Sequence, residues 1–87
     1  MTELSQSSLE QVLGTVWSEV FRREQVGVEE NFFELGGNSL LGMDLTELIR
    51  ARLGIGVSVV MLYQYPSIRE MAQAMAKGSD ADGLSFD

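Results

Sequence analysis

Residues 36–54 read Gly-Gly-Asn-Ser-Leu-Leu-Gly-Met-Asp-Leu-Thr-Glu-Leu-Ile-Arg-Ala-Arg-Leu-Gly. A helical period fills Ser39 to about Leu53, and Gly54 is well placed as its C-terminal stop. On a wheel of about 100° per residue, Leu41, Leu45, Leu48 and Ile49 cluster on one side, with Leu53 at its edge. Ser39, Met43, Thr46 and Arg50 fall on the opposite side, with Leu40 and Glu47 at the margin. The wheel therefore predicts a buried leucine face and a serine turned to solvent in the first turn, with Met43 one turn further along.

A serine in that position is suited to carry a phosphate, because a helix N-terminus offers free amide donors and a partial positive charge. The preceding glycines remove side-chain bulk, so that a large enzyme can approach the hydroxyl. The exposed Met43 and Leu40 make a small apolar patch of the kind that other proteins touch briefly. A plainer reading stands beside this one. Ser39 or Asn38 is simply the N-cap, and Gly36-Gly37 simply a turn. A hydrolytic serine is argued against, since it needs an adjacent base and a group to orient that base. The chain has no histidine, and its single lysine, Lys77, lies at the far end of the last predicted helix.

The rest of the sequence supplies the partners for the leucine face. Leu9, Val12, Leu13, Val16, Trp17, Val20 and Phe21 follow helical spacing. Ser7 and Glu10 fit a capping box at the start of this helix, and Arg22 and Arg23 fall in its last turn, where positive charge suits the dipole. Residues 24–38 form a long connection that carries Val26, Val28, Phe32, Phe33 and Leu35. A loop this apolar is expected to be pinned across the other elements. Residues 57–63 read as a strand by propensity, yet no other segment could pair with them, so a short, irregular helix is expected. Pro66 breaks the chain. Ser67 with Glu70 then caps a last helix whose stripe is Ile68, Met71, Ala72 and Met75, ending near Lys77. Residues 1–6 and 78–87 are expected to be flexible tails around a domain spanning 7–77. The fold class is all-α: three main helices, one short helix and a long first loop.

Composition narrows the function. Eighty-seven residues make one small domain. With no cysteine, no disulfide forms and no thiolate can act as nucleophile or metal ligand. With no histidine, the commonest general base and metal ligand is missing too, so no catalytic residue and no metal site is expected. A net charge of -7 disfavours nucleic acid and anionic membrane as partners. No apolar run reaches the ~20 residues of a membrane span, and no signal peptide is evident. A cytoplasmic monomer is expected.

The sequence also carries a family resemblance. Residues 26–41, Val-Gly-Val-Glu-Glu-Asn-Phe-Phe-Glu-Leu-Gly-Gly-Asn-Ser-Leu-Leu, closely resemble the core of the thiolation domains (peptidyl carrier proteins) of nonribosomal peptide synthetases. Three other segments resemble the same family in register: Val16-Trp17-Ser18-Glu19-Val20, Arg50-Ala51-Arg52-Leu53-Gly54, and Leu62-Tyr63-Gln64-Tyr65-Pro66-Ser67-Ile68. The resemblance implies a four-helix bundle of acyl-carrier type. It implies that a phosphopantetheinyl transferase, holding Mg²⁺ on its own side, moves 4′-phosphopantetheine from coenzyme A onto Ser39. The arm's thiol would then hold an aminoacyl or acyl group as a thioester. An adenylation or acyl-loading enzyme and downstream condensing or tailoring enzymes would be the further partners, docking against Leu40, Met43 and the short segment around Met61.

Asn38 departs from the His or Asp that is common there in peptidyl carriers, which leaves the cargo open. The mixed charges of the second helix (Asp44 and Glu47 with Arg50 and Arg52) resemble the peptidyl type more than the acidic helices of fatty-acid carriers. Two alternatives remain: an acyl carrier of a polyketide pathway, and a helical interaction module that is never modified. The chain begins with Met and holds a carrier with two short tails, which fits both a free-standing carrier and a domain excised from a larger synthetase.

Overall fold

The computed structural model describes residues 5–77. Four helices follow one another: α1 (Gln6–Phe21), α2 (Ser39–Leu53), α3 (Val59–Gln64) and α4 (Ile68–Lys77). Among the described residues there is no strand. Helix α1 packs against both α2 and α4, and α3 lies against α2. Each long helix brings one apolar stripe to a shared centre. Leu9, Leu13, Val16 and Trp17 come from α1, Leu45 and Ile49 from α2, Met61 and Leu62 from α3, and Ile68, Met71 and Ala72 from α4. Burial of this kind drives the association, at about 25 cal/mol per Å² of apolar surface.

Both ends of α1 depart from expectation. The N-cap is Ser5, whose Oγ accepts the Ser8 N–H at 3.1 Å. Ser7 is exposed and already helical, so the helix opens at Gln6, inside the stretch expected to be a tail. Glu10 bonds Gln6 Nε2 rather than a capping donor. At the other end α1 stops at Phe21. Arg22 adopts φ 58°, its N–H bonds Glu19 O, and the Arg23 N–H bonds Ser18 O. This is a Schellman closure, and the two arginines lie beyond the helix rather than in its last turn. Residues 1–4 and 78–87, the remainder of the expected tails, lie outside the described residues.

The long first connection is held at defined points. The Phe32 N–H donates to Pro66 O at 2.7 Å, and the Arg69 N–H donates to Val28 O at 2.9 Å. Asn31 Oδ1 accepts the N–H groups of Phe33 and Glu34, which folds the loop back on itself. Phe32 is fully buried and lies edge-on to Trp17 and Phe21, with ring centroids 5.5 and 5.2 Å away. The indole Nε1 of Trp17 is buried and finds no hydrogen-bond partner among the described residues. At the start of α4 the Glu70 N–H donates to Ser67 Oγ as expected, while the Glu70 carboxylate accepts the Ser67 hydroxyl rather than a backbone N–H.

Candidate functional site

Asn38 and Ser39 sit where the long connection becomes α2. Asn38 is the N-cap: its backbone is extended, and its Oδ1 accepts the Leu41 N–H at 2.9 Å. Its carbonyl accepts the Gly42 N–H at 2.8 Å. Capping therefore falls to Asn38. Ser39 is the first helical residue, exposed, with its hydroxyl free of that duty. Helix geometry leaves the N–H groups of Ser39 and Leu40 without intrahelical acceptors, so an anion on the hydroxyl would meet amide donors and the positive end of α2. An exposed hydroxyl at the first turn fits an esterified phosphate.

The turn that delivers Ser39 needs both of its glycines, for two different reasons. Gly36 has φ 103°, which a side chain disfavours. Gly37 lies against the Phe32 ring: a Cβ there would stand 2.3 Å from Cε2 and 2.4 Å from Cδ2. Access for a large enzyme, expected from the sequence, is thus joined by a packing demand inside the turn.

Four large apolar side chains are exposed on α2 and on α3, which lies against it: Leu40 (68%), Met43 (55%), Val60 (62%) and Tyr63 (60%). The first two come from α2 as predicted. The last two come from α3, and Tyr63 stacks on half-buried Phe33 at 4.9 Å and 25° between planes. Met61 corrects the sequence reading. It is 4% exposed and belongs to the core, because α3 turns Met61 and Leu62 inward and Val60 and Tyr63 outward. Thr46 is corrected in the same way: it is 8% exposed, and its hydroxyl donates to Met43 O.

The two errors have different origins. Met61 was placed by the resemblance, which points to the α3 segment and not to one side chain of it. Thr46 was placed by a wheel of α2 alone, which cannot know that α3 covers the Gly42 side, where a Cβ would stand 3.1 Å from Leu62 Cδ1. The buried face is centred on Gly42, Leu45, Thr46 and Ile49, while Leu41 and Leu48 are only half-buried. Val60 and Tyr63 could have been found by extending helical spacing through 59–64, where Val59 and Leu62 fall on the α2 side.

The geometry agrees with what is similar to this chain. The phosphopantetheine attachment site family matches residues 11–75. Surfactin synthase subunit 3 of Bacillus subtilis (strain 168) is 37% identical over 78 residues, which make up 90% of this chain and 6% of that protein. The chain therefore spans a small fraction of the curated relatives it matches. A solved nonribosomal PCP domain superposes with a TM-score of 0.69 at 31% identity, over 75% of this chain and 83% of that one. A peptidyl carrier protein, solved with the phosphopantetheine transferase Sfp and coenzyme A, superposes with a TM-score of 0.74 at 26% identity, over 80% and 91%. With a free serine at the head of α2 and a four-helix frame shared with these structures, the chain belongs to the phosphopantetheine attachment family of carrier domains, whose cofactor is 4′-phosphopantetheine.

Proposed function

We propose that Ser39 is the residue esterified by 4′-phosphopantetheine, and that residues 7–77 act as a peptidyl carrier domain in nonribosomal or hybrid peptide/polyketide assembly. The observation that carries this reading is the division of labour at the head of α2: Asn38 takes the cap, and the Ser39 hydroxyl stays exposed beside Leu40 and Met43. When attached, the arm supplies a thiol that holds an aminoacyl or acyl group as a thioester. The chain's own residues do not catalyse; they present the hydroxyl and a surface. The amides at the head of α2 favour the phosphate's charge. Leu40 and Met43, with Val60 and Tyr63 in place of the buried Met61, offer apolar contacts to partners that must bind and leave quickly.

The partners are a phosphopantetheinyl transferase, an adenylation or acyl-loading enzyme, and downstream condensing or tailoring enzymes. Similarity to a dimodular nonribosomal peptide synthase and to a four-domain nonribosomal peptide synthetase supports this choice. The charge of -7 supports protein partners over nucleic acid or membrane, and no helix among the described residues is long and apolar enough to cross a membrane. A monomer working in the cytoplasm follows from this reading.

The test is direct. Incubation of the purified chain with a broad-specificity transferase and coenzyme A should add the mass of one phosphopantetheine, and Ser39→Ala should abolish the addition. A wild-type mass that stays unchanged with several transferases would sink the proposal and leave the unmodified interaction module standing.

A further inference from the structure

The turn that carries Ser39 meets the core where Gly37 lies against Phe32. Ser39 is the first residue of α2, and Asn38 caps that start. Asn38 is reached through Gly36 and Gly37. The Gly37 N–H donates to Phe32 O at 3.0 Å, and its α-carbon faces the Phe32 ring so closely that a Cβ would stand 2.3, 2.4 and 2.7 Å from three ring carbons. Phe32 is itself held by its N–H on Pro66 O and by rings on several sides. Trp17, Phe21 and Phe33 have centroids 5.5, 5.2 and 5.1 Å away. Phe33 in turn stacks on Tyr63 of the exposed α3 surface. One aromatic group thus borders both the turn that carries Ser39 and the α3 half of the apolar face.

We infer that Phe32 and Gly37 form a positioning contact, which holds the Ser39 hydroxyl in register with the Leu40, Met43, Val60 and Tyr63 face so that an enzyme seated on that face finds the hydroxyl in reach. This rests on the reading of Ser39 as the modified residue. Phe32 touches no reacting atom and acts only through the turn. A β-carbon on Gly37 cannot be absorbed by the far end of a flexible chain, because what it meets is a ring locked in the core. The turn must shift instead, and Ser39 shifts with it. A misplacement of about 1 Å at a reacting group can cost about a hundredfold in rate.

The experiment follows transfer from coenzyme A by intact mass over time, with one broad-specificity transferase and a range of carrier concentrations. Gly37→Ala is compared with Leu13→Ala, which removes a fully buried α1 side chain outside the turn and serves as a control for lost stability. Both are assayed where circular dichroism shows them folded. Gly37→Ala should lose about tenfold or more in kcat/KM, well beyond Leu13→Ala. The double variant Gly37→Ala/Phe32→Leu, in which the added methyl takes the space that the shortened side chain leaves and so restores the contact, should recover most of that loss. Equal losses for Gly37→Ala and Leu13→Ala, or no recovery in the double variant, would overturn the inference. If Gly37→Ala fails to fold, Phe32→Leu alone is set against Leu13→Ala, with an excess loss supporting the contact and an equal loss overturning it. A wild-type chain that gains no mass overturns the Ser39 reading and this inference together; a wild-type chain that loads while Gly37→Ala matches the control overturns the contact alone.

Discussion

Asn38 and Ser39 are adjacent residues with similar capping preferences, and the fold gives the cap to one and leaves the other free. The sequence could place a serine at the start of α2 but could not choose between them, because either oxygen can reach the third amide of the helix. Met43 raises a related question of exposure. It lies one turn along from Ser39 and is 55% exposed, so Met43→Glu should leave the helical signal intact and stability within about 0.5 kcal/mol. It should also slow loading by about fivefold or more in kcat/KM if Met43 is a main anchor of the docking face. A loss of helical signal on circular dichroism would instead put Met43 in the core. Glu30 gives a pH prediction. Its carboxyl accepts the Gly27 N–H at 2.8 Å and then an Arg23 Nη1–H at 3.0 Å, and these hold its pKa below the ordinary value of 4.5. A group whose pKa is lowered on folding contributes stability above its unfolded pKa and loses that contribution as pH falls through the folded one. Carbon-detected titration should therefore give Glu30 a midpoint below 4.5. Arg23→Gln should weaken that downward shift but not abolish it, because the Gly27 N–H remains; an unchanged midpoint would mean that the guanidinium has no share.

The helices were legible where a stripe or a cap spoke for itself. The span Ser39–Leu53, the Gly54 stop and the Ser67 cap of α4 all stand in the structure as read. Residues 57–63 looked like a strand by propensity alone. Absence of a pairing partner decided for a helix, and α3 indeed forms over Val59–Gln64. What stayed hidden was the effect of one element on another. Met61 and Thr46 are buried because α3 and α2 close on each other at Gly42, a contact that no local pattern encodes. The end of α1 was hidden for a different reason: its left-handed closing residue is not glycine. Arg22 holds φ 58°, a conformation that costs a residue with a β-carbon roughly 1–2 kcal/mol. Arg22→Gly keeps the Schellman hydrogen bonds, which are made by the backbone, and removes that cost. Its exposed side chain has no ion pair among the described residues to lose. Arg22→Gly should therefore raise stability by about 1 kcal/mol, or roughly 4–8 °C in Tm for a domain of this size, measured by the fluorescence of buried Trp17. An unchanged or lower Tm would mean that the arginine is not strained there.

Two kinds of interaction tie the four helices together, and their magnitudes decide which one matters. Ion pairs cross the surface at several points: Arg52 holds both carboxylate oxygens of Glu19, joining α2 to α1, and Arg69 reaches Glu29 and Glu10, joining α4 to the long connection and α1. Their side chains are partly open to solvent, from 21% at Glu10 to 75% at Glu29. Exposed pairs are worth about 0–1 kcal/mol each and weaken further in salt. The apolar centre is different in kind. It draws buried residues from all four helices and the long connection, including Leu45, which lies on the α2 face that the wheel predicts to be buried. Replacing a buried leucine by alanine costs about 2–5 kcal/mol, because a cavity remains after the apolar contacts are lost. Small domains have about 5–15 kcal/mol of stability in all, so Leu45→Ala should remove a large share of it. Urea denaturation followed by Trp17 fluorescence should show a midpoint shift of that size, while Arg52→Gln should shift it by less than about 1 kcal/mol. The opposite ranking, with the ion pair costing more than the leucine, would mean that surface charge rather than the shared apolar centre holds α2 and its serine in place.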